Sequence, residues 1–227
     1  MIRRINLFAG AGAGKSTTAA GIFNSLKKNA VKVELVTEYI KKWAWEGKKP
    51  TGFDQMYIFG KQLRAEEVPL KSGADIIVTD SPILLSPVYG KKYGFTCYNV
   101  LEQVEQAFTE TYPELNIFLS RGSKPYDPRG RFESEEDARA VDVLIEEALK
   151  NYKKKYFKLD FSNFDAIIQL VNRELGVPEV DKVQQIIKML NDFGDDYDAD
   201  QKRKEVLGEF CRYCGCKNPM CQCWNDE

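Results

Sequence analysis

The sequence predicts an α/β protein built on a parallel sheet with helices on both faces. Three observations carry this. Apolar, β-prone runs alternate with amphipathic stretches of 10 to 20 residues. The first run ends in a cluster of glycines that opens a helix. Two later runs are followed within two residues by a carboxylate, Glu38 and Asp80.

The elements follow in order. Residues 2–8 are apolar and read as a strand, and 16–28 as a helix. Residues 31–36 alternate apolar and charged side chains, as a strand does. Residues 53–68 place Met56, Phe59, Leu63 and Glu66/Glu67 at helical spacing. A buried strand, ADIIVT, covers 74–79, with Asp80 at its tip. A helix over 100–112 and a strand over 115–119 come next. Residues 120–132 are a polar loop, and Ser134 with Asp137 three residues on forms a capping box for the next helix. Ala138, Val141, Leu144, Ile145, Ala148, Leu149 and Tyr152 line one face of that helix. A last strand over 155–159 and a core helix over 164–174 complete a first domain, residues 1–177. Gly176-Val177-Pro178 marks a break. A helical extension and acidic linker, GDDYDAD, fill 178–208, and a cysteine-rich tail fills 209–227.

The chain has 227 residues, 43% hydrophobic and 30% charged, which suits one sizeable core. Its net charge of -1 excludes a global attraction to nucleic acid or anionic membrane, leaving only local patches. The opening MIRRINLFAG is too short in apolar residues for a signal peptide, and no run approaches a membrane span. A cytoplasmic protein is expected. There is no histidine, so a general base must be a carboxylate.

The segment Ala9-Gly10-Ala11-Gly12-Ala13-Gly14-Lys15-Ser16-Thr17 matches G-x-x-x-x-G-K-[ST] except that alanine holds the first glycine's place. Small residues let backbone N–H groups from Ala11, Gly12, Ala13 and Gly14 wrap phosphate oxygens, and the following helix adds its positive end. Lys15 reaches the β- and γ-phosphates, Ser16 is placed for Mg²⁺, and Thr17 for the α-phosphate. This is a P-loop, and the fold class sharpens to a P-loop NTPase three-layer sandwich that binds ATP. Asp80 beside it is a second Mg²⁺ partner, or a residue that caps the turn of DSP. Glu38 stands at the same sheet edge, where a hydroxyl acceptor needs a carboxylate; Glu38 and Asp80 are the candidates for that base. Trp43 and Trp45 suit stacking on a base, or packing under a loop. Tyr57, Gln62 and Arg64 on the next helix are candidates to reach a base or sugar. RGSKPYDPRGRF carries Arg121, Lys124, Arg129 and Arg131; Arg129 and Arg131 are read as a lid that neutralises phosphate charge.

Cys211 and Cys214 form C-x-x-C, Cys221 and Cys223 form C-x-C, and Cys216 lies between them. Four thiolates suit a closed zinc site, with one cysteine to spare; a reactive tail or an iron–sulfur cluster are the alternatives. Arg212, Tyr213, Lys217 and Trp224 suit contact with single-stranded nucleic acid. The lone Cys97 is expected in the core.

The phosphate loop, TEY after the second strand, TDSP after the third and PYDPRGR before the penultimate helix together resemble P-loop nucleoside and nucleotide kinases. Their order is similar to thymidylate-kinase-like and nicotinamide-riboside-kinase-like proteins. The resemblance implies that Glu38 sits by the acceptor hydroxyl and that Arg129 and Arg131 form the lid. Many such kinases carry DR or ER where this chain has DSP, so no arginine role passes to Ser81. Over roughly residues 1–175 the chain most resembles phage kinases that phosphorylate 5-hydroxymethyluridine within DNA. That implies a γ-phosphate transfer to a nucleotide in DNA, in a host cytoplasm. A small-molecule nucleoside or nucleotide kinase and an ATPase switch subunit remain the alternatives.

Overall fold

The computed structural model describes residues 1–122 and 126–177. These belong to the first of two units, Met1–Val177 and Pro178–Glu227. The predicted helical extension, acidic linker and cysteine tail lie outside the described residues, as does Lys124.

Five strands form one sheet in the order β2-β3-β1-β4-β5, where β1 is Arg4–Phe8, β2 Val33–Val36, β3 Ile76–Thr79, β4 Glu114–Ser120 and β5 Tyr156–Asp160. Every pairing is parallel, as the alternating pattern predicts. The chain runs out to β2, returns to β3, then crosses β1 to reach β4. That crossing opens a crevice at the carboxyl ends of the strands.

The strand period of two divides β1 between two layers. Ile5 and Leu7 face helices α1 (Lys15–Lys28) and α7 (Phe164–Leu175), packing with Ile22, Leu26, Ile117, Ile167 and Val171. Phe8 faces the other side, with Val88 of α4 (Leu85–Lys92) and Val141, Ile145 and Leu149 of α6 (Glu135–Asn151). Further along that side, Ile77 packs on Phe59 of α3 (Asp54–Lys71) and Leu101 and Phe108 of α5 (Tyr98–Thr111). Each fully buried Leu or Ile contributes about 2 kcal/mol. Helix α6 starts on the predicted capping box: the Ser134 hydroxyl accepts from Asp137 N–H at 3.1 Å, and the Asp137 carboxylate accepts from Ser134 N–H at 3.4 Å.

Some expectations are corrected. Leu144 is 39% and Met56 44% exposed, so the buried stripes of α6 and α3 are narrower and rotated from those predicted. Glu66, on the buried side of α3 with Phe59, is wholly buried against Arg4. Cys97 is exposed at the start of α5 rather than in the core. Two helices went unread in the sequence. One is the single turn α2 (Lys41–Trp45), and the other is α4, whose Pro87 and Gly90 disguise its period. Among the described residues no helix is long and apolar enough to cross a membrane.

Candidate functional site

The phosphate loop joins β1 to α1 at the centre of the sheet. Gly12 (φ +84°) and Gly14 (φ +87°) adopt left-handed backbone that alanine would resist. Ala9 does not: it is fully buried with ordinary φ, so alanine at the first glycine position carries no backbone strain. Thr18 N–H is the first to bond back along the helix, to Gly14 O at 2.9 Å. The N–H groups of Lys15, Ser16 and Thr17 therefore point forward without a helical partner, as a phosphate site requires. Lys15 Nζ donates to the loop's own carbonyls, Ala9 O at 2.6 Å and Gly10 O at 2.9 Å. Burial lowers its pKa, against the pull of Glu38, Asp80 and Asp142.

Asp80, at the tip of β3, accepts the Ser16 hydroxyl on Oδ2 at 2.5 Å. Its Oδ1 is buried with no hydrogen-bond partner. An orphaned carboxylate oxygen beside a serine hydroxyl at a phosphate loop fits a hard cation such as Mg²⁺. Glu38, two residues beyond β2, lines a cavity over the phosphate loop together with Lys15 and Ser16. Burial raises its pKa, with Lys15 the chief opposing charge.

The cavity measures about 540 Å³. The phosphate loop (Ala11, Gly12, Gly14, Lys15, Ser16, Thr17) forms its floor. Ala13 sits beneath, buried in the core. Glu38 and α2 make one wall, and Arg129, Gly130 and Arg131 come from the arginine loop opposite. Arg131 has its guanidinium 5.2 Å from the Tyr126 ring centre, and its buried Nε has no partner. Arg129 is 81% exposed and bound to Asp127 of its own loop at 2.8 Å. Trp45 reaches the arginine loop, since a Cβ added to Gly130 would lie 2.6 Å from its ring.

Other predicted residues lie elsewhere. Gln62 is buried, its Oε1 accepting Tyr39 N–H at 3.1 Å, and does not border the cavity. Arg64 is exposed on α3. Trp43 stacks on Tyr57 with ring centres 6.3 Å apart. The five tail cysteines lie outside the described residues, and among the described residues no cluster of three Cys, Asp or Glu could hold a metal.

Sequence reasoning missed several cavity residues. Gln55, Tyr89, Tyr93 and Glu133 all border it. It also missed the brace behind the loop. Asp142 accepts Gly10 N–H at 2.5 Å and Arg121 Nε at 2.5 Å, while Arg121 Nη1 donates to Ala11 O at 2.7 Å. The signal was present: Asp142 is an acidic residue on the face of α6 that also carries Ala138, Val141 and Ile145.

Comparison with known proteins places this geometry. A search of curated protein sequences finds no match. Among solved structures, NadR in complex with NR is 16% identical, with a TM-score of 0.60 over 78% of this chain and 52% of that one. NadR in complex with NAD and AMP-PNP is 15% identical, with a TM-score of 0.57 over 78% and 50%. Deoxyadenosine kinase from M. mycoides with bound dATP is 22% identical, with a TM-score of 0.51 over 77% and 99%. This chain thus spans about half the length of the NadR chains it matches. These likenesses show a P-loop, nucleoside-kinase-like fold. A family model described as an AAA domain matches residues 4–165, a stretch that contains the phosphate loop, Glu38, Asp80 and the arginine loop, and the chain belongs to that AAA domain family.

Proposed function

We propose that this protein is an ATP-dependent kinase that transfers the γ-phosphate to a hydroxyl of a pyrimidine nucleotide, with 5-hydroxymethyluridine within DNA as the acceptor. The observation that carries the kinase reading is Glu38: a carboxyl with raised pKa in the same cavity as the phosphate-loop lysine. Such a base serves water as well as an alcohol, and the kinase reading takes the nucleophile to be an alcohol because the cavity has room for an acceptor beside the phosphate loop.

In this reading Lys15 leaves the Ala9 and Gly10 carbonyls for the β- and γ-phosphates. The free N–H groups of the loop hold the phosphate oxygens. Magnesium, held by the Ser16 hydroxyl and the Asp80 carboxylate, would supply positive charge between the phosphates. Glu38 accepts the acceptor's hydroxyl proton as the new O–P bond forms and the bond to the β-phosphate oxygen breaks, releasing ADP. A raised pKa makes Glu38 a stronger base toward that proton. Arg131, with its partnerless Nε, and Arg129 close over the transferred group. The acceptor is assigned to DNA because of the tail, whose Cys211, Cys214, Cys216, Cys221 and Cys223 offer a zinc site beside Arg212, Tyr213 and Lys217. The full-length protein should carry about one zinc per chain, lost when Cys214 and Cys221 are replaced; a metal-free protein refutes the zinc assignment.

A second reading, a kinase of free nucleosides, draws on the cavity, whose roughly 540 Å³ suits a small ligand. One assay separates the two. Labelled ATP is offered with hydroxymethyluracil-containing DNA, with free nucleosides, or alone. Label in DNA supports the first reading, label in nucleosides only supports the second, and phosphate release without an acceptor removes both.

A further inference from the structure

Helix α2 and the turn after it do not serve the core. No residue of α2 is buried. Residues 41–49 nevertheless carry four lysines, Lys41, Lys42, Lys48 and Lys49, against one acid, Glu46. All four lysines are exposed. The one ion pair among them, Lys48 with Glu46 at 2.5 Å, has side chains 67% and 51% exposed, so water screens it and it neutralises little. In a chain whose net charge is -1, this is a strong local excess of positive charge.

Aromatic rings are interleaved with these cations. Trp45 is 66% exposed although one part of it touches the lid at Gly130. Trp43 stacks on Tyr57, itself 49% exposed, and Lys61 Nζ lies 5.3 Å from the centre of the Tyr57 ring. The strip is continuous with the mouth of the cavity, because Lys41, Ala44, Trp45 and Pro50 line it. Exposed rings flanked by lysines suit a strand of unpaired nucleotides: bases stack on the rings and phosphates meet the ammonium groups. A duplex keeps its bases stacked on each other and offers only its phosphates. A free nucleoside would need none of the cations outside the mouth.

We propose that residues 41–49, with Tyr57 and Lys61, grip a single-stranded polynucleotide and present one of its nucleotides to the cavity. This deepens the reading of the site as a kinase acting within DNA, and rests on it. Each lysine–phosphate contact adds about 0.7 to the slope of log affinity against log salt for a single strand.

The test measures binding of a fluorescein-labelled oligothymidylate of ~15 nucleotides to the full-length protein by anisotropy, from low to moderate salt. Lys42, Lys48 and Lys49 stand outside the cavity, so the triple variant K42A/K48A/K49A should keep wild-type ATP binding and circular dichroism. It should bind the oligonucleotide about tenfold more weakly, with a flatter salt slope. Four results overturn the proposal: no binding by the wild type, wild-type affinity and slope in the triple variant, tighter binding to duplex than to single strand, or tighter binding to phosphatidylserine vesicles than to the oligonucleotide. The two readings fail separately. Oligonucleotide binding through these lysines without phosphate transfer to any acceptor removes the kinase and keeps the grip. Transfer to free nucleosides without oligonucleotide binding does the reverse.

Discussion

The two ends of the sheet hold the same kinds of residue in opposite conditions. At the amino ends of the strands, Arg4, Glu114 and Lys154 form a network with Glu66, Glu105 and Thr109. Arg4 donates to Glu114 at 2.7 Å, Thr109 Oγ1 at 2.8 Å and Tyr112 O at 3.0 Å. Lys154 bonds Glu105 at 2.8 Å and Glu114 at 3.0 Å. Asn6 joins them through Glu114 and Asn116, and only its Oδ1 lacks a partner there. At the carboxyl ends, Asp80 Oδ1 and Arg131 Nε are buried and partnerless, and Lys15 bonds only backbone carbonyls. Buried polar groups are normally satisfied; among the described residues the partnerless atoms of charged side chains, Asp80 Oδ1 and Arg131 Nε, both stand beside the phosphate loop, whereas the others, on Asn6, Gln62 and Asn172, belong to neutral amides. The presence of charge does not separate a scaffold from a site; whether the charged groups are paired does.

The largest test of that contrast is Lys15→Ala. Removing the side chain proposed to reach the β- and γ-phosphates should cut phosphate transfer by roughly a thousandfold while leaving the melting temperature within a few degrees. Persistent transfer would mean that the open end of the sheet is not the reaction site. Glu114→Ala is the mirror experiment. It leaves Arg4 and Lys154 buried without their shared carboxylate and should destabilise the fold by about 3 kcal/mol. Denaturant titration measures the loss, and turnover per folded molecule should hold. A variant that is stable but inactive would erase the distinction between the two ends.

Glu38→Gln keeps the shape and removes the proposed base. Turnover should fall by about a hundredfold with ATP affinity retained, read from steady-state kinetics and nucleotide binding. Unchanged turnover would reduce Glu38 to one more wall residue of the cavity.

How much of this was legible in the sequence follows the same division. The five strands and their parallel sense follow from local patterns, because each strand's period and punctuation are written in consecutive residues, whereas the order β2-β3-β1-β4-β5 depends on contacts between distant segments. The phosphate loop, Glu38 and Asp80 were legible because each stands within a few residues of a strand end, and a parallel sheet brings those ends to one edge. Gln55, Tyr89 and Glu133 were not, because their position depends on how α3 and α4 seat on the sheet and how the arginine loop folds back. Asp142 needed the rotation of α6 relative to the phosphate loop, 132 residues away in sequence. The ion pair of Glu66 was not legible for a related reason. Its partner Arg4 lies at the far end of a sequence separation of 62, and a carboxylate on a helix reads as a surface residue until that cation is known.

The last prediction concerns that buried glutamate. Burial pushes Glu66 up to about 7, against the pull of Arg4 at 3.4 Å and the N–H of Ile83 at 3.0 Å. In the unfolded chain it titrates near the ordinary glutamate value. The folded state therefore holds a proton that the unfolded state has lost across the window from about 4.5 to about 7. Within that window the folded state binds more protons, so this group's contribution to stability falls as pH rises and is spent above about 7. Glu66→Gln fixes the neutral form and should flatten that slope. Thermal melts of both proteins at pH 5 and pH 8 supply the measurement: the wild type should lose about 3 °C more than the variant for each kcal/mol involved. Parallel melts would mean that Arg4 keeps Glu66 ionised throughout. The amino end of the sheet would then be a fixed ion network with no titrating member, and the contrast with the open end would be wider still.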